Sequence, residues 1–168
     1  MKFLWPDIYA RNIRVIPYEE LLKNNIDTLI FDIDNTLVPY DISHANEDLT
    51  DFLEKLKDMG FKICLLSNNN KKRVDVFNEN FSFFAVWDAR KPTSYGLKKA
   101  LKLMNSRASQ SALIGDQIFT DIWCANRSKL KSILIKPVNK KDTFGVYLKR
   151  GFESIIVKSF IKNAKKNK

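Results

Sequence analysis

The chain has 168 residues, of which 45% are hydrophobic and 29% are charged. These values predict one globular domain and exclude an intrinsically disordered chain, and no apolar run reaches the ~18–20 residues that cross a bilayer. Pro6 and Asp7 come too early for the apolar region of a signal peptide. The two cysteines, Cys64 and Cys124, are too few for a disulfide framework, so we expect a reducing, cytoplasmic location.

The net charge of +10 at pH 7 is distributed unevenly along the chain. Residues 1–84 contain 10 Lys or Arg against 14 Asp or Glu, a net −4, whereas residues 85–168 contain 19 against 5, a net +14. A basic half of this kind indicates a polyanionic partner, namely nucleic acid, an anionic membrane surface or a phosphorylated substrate. The alternative is a solvated basic surface, with residues 162–168 forming a disordered, solubilising tail.

Short apolar runs alternate with amphipathic segments along the chain. The runs predict strands at Thr28–Phe31, Phe61–Leu66, Phe83–Trp87, Ser111–Ile114 and Ser132–Ile135. The amphipathic segments predict helices at Leu49–Leu56, Arg73–Asn80, Gly96–Met104, Asp121–Arg127 and Thr143–Lys158. This alternation predicts an α/β fold with a parallel sheet of about five strands covered on both faces. We expect a single domain over residues 1–161, with residues 1–26 as an N-terminal arm.

Polar side chains follow four of these strands where each strand ends. They are Asp32, Asp34 and Thr36, then Ser67, Asn68 and Asn69, then Lys91, then Asp116 and Asp121. Ligands bind at the carboxyl ends of the strands in sheets of this class, so we expect these side chains to converge there.

The residue types at this edge favour phosphoryl transfer. Asp32 and Asp34 are two residues apart and lie on one side of an extended segment, where two carboxylates resist joint ionisation unless a cation is present. Mg²⁺ prefers such oxygen ligands. One carboxylate can then attack phosphorus, while the other exchanges a proton with the leaving oxygen and water. Ser67 and Lys91 would stabilise the phosphoryl oxygens.

Each motif also has a structural interpretation. An Asp-x-Asp pair is common in turns, residues 67–70 are typical of a helix N-cap, and Asp121 is placed to cap the helix after it. The occurrence of all four groups in order, each directly after a predicted strand, favours the catalytic interpretation.

These motifs resemble those of the haloacid dehalogenase superfamily of aspartyl phosphatases. The residues within the motifs resemble those of the YqeG-type branch of its subclass IIIA. The segments that carry this resemblance are Asp34-Asn35-Thr36-Leu37-Val38, Ser67-Asn68-Asn69-Asn70, Ala89-Arg90-Lys91-Pro92, Gly115-Asp116-Gln117 and Thr120-Asp121-Ile122. The resemblance covers nearly the whole chain and implies a Rossmann-like phosphatase fold.

The resemblance also implies a role for each residue. Asp32 is then the nucleophile and Asp34 the general acid and base, whose backbone carbonyl also contacts Mg²⁺. Thr36, Ser67 and Lys91 steady the phosphoryl group, and Asn68 and Asn69 contact the substrate. Asp116 is the main remaining metal ligand and Asp121 a supporting carboxylate.

The sequence departs from the family pattern at two places. Cys124-Ala125 stands where the family leads us to expect a pair of glycines, and Ser128-Lys129-Leu130 stands where it leads us to expect a glycine. Glycine at these positions would permit positive φ or close packing. The departures remove no catalytic group.

The spacing of the motifs limits any lid over the site. Asp32 and Ser67 are 35 residues apart, and Ser67 and Lys91 are 24 apart, which leaves no length for a cap domain. An open site accepts a phosphate carried on a large body, and the resembled branch includes phosphatases of phosphatidylglycerophosphate. We therefore expect an anionic phospholipid head group as substrate, at the inner face of a membrane, and no nucleic-acid partner.

Other interpretations remain open at this point. The aromatic residues of the N-terminal arm, such as Phe3 and Trp5, either enter a membrane interface or pack over the edge of the sheet. The substrate is alternatively a phosphoprotein, a polynucleotide end or another phosphorylated metabolite. A receiver-like signalling domain is disfavoured because Asp34 would then have no role, and an inactive binding module because every catalytic residue type is present.

Overall fold

The computed structural model of the protein describes residues 2–139 and 144–166. Six parallel strands form one sheet in the order β1-β6-β5-β2-β3-β4. The strands are β1 (Ile8–Ala10), β2 (Thr28–Phe31), β3 (Lys62–Leu66), β4 (Phe84–Val86), β5 (Ser111–Gly115) and β6 (Lys131–Ile135). The α/β class expected from the sequence is confirmed, but the sheet has six strands rather than about five.

Helices connect the strands and cover both faces of the sheet. They are α1 (Tyr18–Lys23), α2 (Glu47–Asp58), α3 (Lys71–Asn78), α4 (Tyr95–Leu103), α5 (Trp123–Arg127) and α6 (Phe144–Lys166). Alternate residues of the central strand β2 enter two separate cores, since Leu29 and Phe31 join one apolar cluster and Ile30 joins the other. Burial on both faces explains why β2 is an uninterrupted apolar run.

Strand β1 was not predicted from the sequence. It has only three residues, two of them partly exposed, so it lacks the apolar run that marks the other strands. Long-range hydrogen bonds hold it at the edge of the sheet. The Asp7 carboxylate accepts from the backbone nitrogen and the hydroxyl of Ser132, at 2.8 and 2.9 Å, and the Asp7 nitrogen donates to the Ser132 carbonyl.

The rest of the N-terminal arm packs against the domain. Leu4 is buried in a small apolar cluster with residues of α6 and of the segment after β5. The Trp5 ring meets Phe160 edge to face at 6.1 Å, and the Asn126 amide donates to the backbone carbonyls of Phe3 and Trp5. The arrangement agrees with the packing interpretation of the arm.

Helix α6 is longer than predicted. It continues to Lys166, so residues 162–166 of the predicted disordered tail are helical, while residues 167–168 lie outside the described residues. Among the described residues, no helix combines the length and the apolar composition needed to cross a membrane.

The two departures from the family pattern have different structural outcomes. Cys124 and Ala125 are buried in α5, where right-handed helical backbone requires no glycine. Lys129, in contrast, has a φ of 60°, in the left-handed region that favours glycine. The turn before β6 therefore carries local backbone strain at Lys129.

We expect the substitution Lys129→Gly to stabilise the protein. Relief of the left-handed strain outweighs the greater entropy of glycine in the unfolded chain, giving a net gain of about 0.5–1 kcal/mol. Urea unfolding of the two proteins measures this difference. The matched control is Lys98→Gly at an exposed position within α4, which we expect to cost about 1 kcal/mol. A loss of stability in both variants would contradict the strain at Lys129.

Candidate active site

Strands β2 and β5 are neighbours at the centre of the sheet, and each ends in a carboxylate. Asp32 follows β2 and continues the ladder, because its nitrogen donates to the Ile114 carbonyl at 2.9 Å. Asp116 follows Gly115, the last residue of β5. Both side chains are buried, at 7% and 3% exposure. Parallel pairing thus brings together two carboxylates that are distant in sequence, as the strand-end argument predicts.

Lys91 joins two carboxylates at this edge. Its ammonium group donates to Asp32 Oδ1 and to Asp121 Oδ1, both at 2.6 Å, and all three side chains are buried. Burial by itself lowers the pKa of Lys91, but the attraction of Asp121 and Asp32 outweighs it and the pKa is raised. Lys91 is therefore a permanent positive charge in the site.

Burial has the opposite effect on Asp32. Loss of water raises the pKa of this carboxyl, the Lys91 charge opposes the rise, and Asp121 and Asp116 add to it. The buried site thus contains three carboxyl groups and one ammonium group. A single positive charge cannot balance three ionised carboxylates. An additional cation would favour the ionised form of Asp32 that can attack phosphorus.

The position of Asp121 depends on two local features. It lies in a single π-helical turn, Ile118–Ile122, and its Oδ2 accepts from the Gln117 nitrogen at 3.1 Å. Gly115 gives it room, since a Cβ there would lie 2.3 Å from the Asp121 carboxyl carbon. The glycine before Asp116 is thus required for the close approach of Asp121. The capping interpretation of Asp121 is wrong, because α5 has no side-chain cap and the Asp121 carboxylate bonds instead to Lys91 and to the preceding Gln117 nitrogen.

Asp32, Asp116 and Asp121 form a cluster suited to a metal ion. One carboxylate oxygen from each lies within 4.8 Å of the others. With Lys91 the ionised cluster carries a formal charge of −2, which a divalent cation balances, and its donors are all oxygens. The Thr36 hydroxyl donates to Asp116 Oδ1 at 3.4 Å. The donor set therefore fits a hard divalent cation.

The carboxylate of Asp34 lies outside this cluster. It pairs with Arg73, whose Nε and Nη2 donate to Asp34 Oδ1 at 3.1 and 2.8 Å. A metal role for Asp34 is thus restricted to its backbone carbonyl, as the resemblance implies. The two carboxylates of the Asp-x-Asp motif have different partners, which is the separation that a nucleophile and a proton carrier require.

The segment after β3 supports the site from its other side. Ser67 is buried, and its hydroxyl accepts from the Asn69 nitrogen at 3.0 Å. Asn68 bonds to the backbone of Lys91 in both directions, at 2.7 and 3.1 Å, so it fixes the segment that carries the lysine. The Asn69 amide reaches Asp34 Oδ2 at 3.4 Å. These contacts link the predicted residues after β3 to both Lys91 and Asp34.

Comparison with known proteins identifies the family. Residues 40–128 match the sequence model of the family named Hydrolase, which comprises haloacid dehalogenase-like hydrolases. The chain is 35% identical over 156 residues to the probable phosphatase YqeG of Bacillus subtilis, covering 93% of this chain and 91% of that protein. The chain belongs to the YqeG-type haloacid dehalogenase-like hydrolases. It is a phosphatase of this superfamily, as the resemblance of its motifs implies.

More distant relatives share the sequence or the fold of this phosphatase. Phosphatidylglycerophosphate phosphatase 1, chloroplastic/mitochondrial, of Arabidopsis thaliana is 23% identical over 98% of this chain, which spans 50% of that protein. An uncharacterized protein from Listeria monocytogenes serotype 4b has the same fold at a TM-score of 0.55, with 19% identity over 69% of this chain and 84% of that one. NagD from E. coli K-12 also has a TM-score of 0.55, with 14% identity over 68% and 90%.

The structure adds two residues of the phosphatase that sequence reasoning missed. Arg73 was assigned only to the first turn of a helix. Glu153 was not noted, although it is the sole acidic residue among residues 144–166. It is buried, and its Oε1 accepts from the backbone nitrogens of Ile118 and Phe119 at 2.7 and 3.3 Å. Helix α6 thus holds the start of the turn that carries Asp121.

We expect Glu153→Ala to destabilise the phosphatase. The backbone nitrogens of Ile118 and Phe119 would lose a charged acceptor in a buried setting, which costs about 1–3 kcal/mol. The matched control is Glu153→Gln, which keeps an acceptor oxygen and should retain most of the stability. Urea unfolding and phosphatase activity measure both variants. Equal stability of the alanine variant and the native protein would show that α6 does not hold this turn.

Proposed function

We propose that this phosphatase is a Mg²⁺-dependent phosphomonoester hydrolase that converts phosphatidylglycerophosphate to phosphatidylglycerol through an aspartyl-phosphate intermediate. Asp32 attacks phosphorus, the bond from phosphorus to the lipid oxygen breaks, and the leaving oxygen takes a proton from Asp34. In the second step, water gives a proton to Asp34 and attacks phosphorus, which releases phosphate and restores Asp32. Lys91, Ser67 and Thr36 stabilise the charged phosphoryl oxygens.

The buried carboxylate cluster supports a divalent cation. Asp32, Asp116 and Asp121 would hold Mg²⁺, which supplies positive charge to the phosphoryl group when bound. We expect Mg²⁺ to stabilise the folded protein by an amount that rises with the logarithm of its concentration, about 2.7 kcal/mol at a hundred times its dissociation constant. Thermal unfolding with EDTA and with added Mg²⁺ measures the shift. Asp116→Asn should reduce it, and an unchanged shift in that variant would contradict the assigned ligands.

The short connections beside the catalytic edge are the observation that carries the substrate proposal. Only α2 lies between β2 and β3, and only α3 between β3 and β4, so neither connection contains a cap domain. A site of this kind suits a phosphate on a large or membrane-bound carrier. The likeness to a phosphatidylglycerophosphate phosphatase over 98% of this chain favours a phospholipid among such carriers.

The outward face of α6 has the composition suited to contact with an anionic bilayer. Ile155 is 62% exposed and Ile161 is also exposed, beside the exposed Lys158 and Lys162. The helix's acidic residue, Glu153, is turned inward. Exposed apolar side chains flanked by lysines, without nearby acids on that face, favour the interface of an anionic membrane.

A substrate panel tests the proposed activity. Phosphate release is measured from phosphatidylglycerophosphate in mixed micelles, with and without Mg²⁺, alongside an aryl phosphate and a 3′-phosphorylated oligonucleotide. We expect a strong, Mg²⁺-dependent preference for the lipid. Preference for the oligonucleotide, or activity on the aryl phosphate alone, would overturn the lipid assignment and leave the phosphatase chemistry in place.

Vesicle binding tests the α6 surface separately from catalysis. We expect the protein to sediment with vesicles containing phosphatidylglycerol and not with phosphatidylcholine alone. The double variant Ile155→Ser/Ile161→Ser should lose this binding. The matched control is Phe84→Ser/Leu103→Ser, which removes exposed apolar side chains near the opposite edge strand β4. Equal binding by both double variants would contradict the assigned surface.

A further inference from the structure

Arg73 connects the catalytic segment to helix α3. Its Nε and Nη2 both donate to Asp34 Oδ1, and the two side chains are only 14% and 17% exposed. The backbone of Arg73 is fixed as well, because its nitrogen donates to the side chain of the N-cap residue Asn70 at 2.9 Å. Hydrogen bonds therefore fix both the backbone and the guanidinium group of Arg73 beside Asp34.

A third donor of the same guanidinium reaches another segment. Arg73 Nη1 donates to the Ser43 carbonyl at 3.0 Å, in the loop that joins β2 to α2. Asn69 approaches the second Asp34 oxygen at 3.4 Å. Both oxygens of Asp34 thus have partners on α3 and the segment before it.

This arrangement has a physical consequence for Asp34. The charge of Asp34 is compensated by Arg73, whereas the Lys91 ammonium group is paired with Asp32 and Asp121. A proton carrier must lie within hydrogen-bond distance of the leaving oxygen, so its side-chain orientation governs the rate of proton transfer.

We propose that Arg73 is a positioning residue that orients the Asp34 carboxyl group for proton transfer to the leaving group. The inference rests on the proposed function, in which Asp34 exchanges that proton. It assigns to Arg73 an effect that passes through Asp34, in contrast to a direct contact with the phosphoryl group or to a general role in folding.

Leaving groups of different acidity separate these roles. Single turnovers with enzyme in excess isolate the first chemical step, using glycerol 1-phosphate and 2,4-dinitrophenyl phosphate. The alkoxide must be protonated as it leaves, whereas dinitrophenolate leaves without a proton. We expect Arg73→Gln to slow the alkyl substrate by about 100-fold and the aryl substrate by less than about threefold. Equal losses for the two substrates would overturn the proposal.

A double-variant cycle tests whether the effect passes through Asp34. In a background of Asp34→Asn, we expect Arg73→Gln to change the rate on glycerol 1-phosphate by less than about twofold. A further large loss would show that Arg73 acts directly on the phosphoryl group and would overturn the proposal. Arg73→Lys retains one positive charge and should recover part of the lost rate.

Two controls separate this inference from folding and from the proposed function. Lys72→Gln changes an exposed charge on the same helix and should leave both rates unchanged. Thermal unfolding of each variant identifies any loss of folded protein, and Arg73→Lys serves if Arg73→Gln unfolds. Absence of Mg²⁺-dependent activity in the native protein would reject the proposed function, whereas full activity with equal leaving-group losses would reject the role of Arg73 alone.

Discussion

The substitution Asp32→Asn is expected to abolish phosphate release while the protein remains folded. The amide cannot form the phosphoryl-enzyme intermediate, so we expect the rate to fall by at least ~10⁴-fold on every substrate. Phosphate release from an aryl phosphate in the presence of Mg²⁺ measures the loss. The matched control is Asp58→Asn, an exposed residue at the end of α2, which should retain the native rate.

The same variant has a predicted stability. Because burial raises the pKa of Asp32 to about 8, folding of the cation-free protein at pH 7 requires this carboxyl to bind a proton at a cost in free energy, and a neutral amide avoids that cost. Asp32→Asn should therefore unfold at the same temperature as the native protein, or higher, in EDTA. It should gain less than the native protein from added Mg²⁺. Native activity in this variant would reject Asp32 as the nucleophile.

Substitution of Lys91 by Met is expected to give the largest loss of stability. The ammonium group is bonded to Asp32 and Asp121 in a buried site, and its removal leaves carboxylates without their partner. Breaking a buried ion pair in this way costs about 3–5 kcal/mol. Lys98→Met, an exposed position on α4, serves as the control and should change stability by less than about 0.5 kcal/mol.

The double variant Asp32→Asn/Lys91→Met shows whether the loss arises from uncompensated charge. One fewer carboxylate remains without a partner, so the double variant should be more stable than Lys91→Met alone. Added Mg²⁺ should also restore part of the stability of Lys91→Met. Strictly additive losses, with no effect of Mg²⁺, would mean that the lysine contributes through its packing and not through its charge.

The predictability of each element follows from where its stabilising contacts lie. The strand β2 was predicted with its observed bounds because burial on both faces requires an unbroken apolar run. Strand β1 was missed because its position depends on hydrogen bonds between Asp7 and Ser132, which are 125 residues apart. The hydrophobic pattern of a short sequence segment does not predict a contact between residues so far apart.

The residues of the candidate site were also predictable only where chain topology, and not side-chain packing, determines their position. Strand ends predict that Asp32, Lys91 and Asp116 meet, since chain topology alone brings them to one edge. The pairing of Asp34 with Arg73 depends on side-chain direction, which spacing does not define. The contact of Glu153 with the turn of Asp121 depends on how α6 docks, and only the isolated acid in a basic helix indicated it.

The order of the strands has a consequence for synthesis of the chain. Strand β1 pairs only with β6 in the described sheet, although β1 leaves the ribosome first and β6 follows five strands later. A nascent chain that ends before residue 131 lacks β6. In such a chain β1 has no partner strand, and the edge of β5 that pairs with β6 is unpaired. The sheet is thus completed by the pairing of β1 with β6 only when most of the polypeptide has been made.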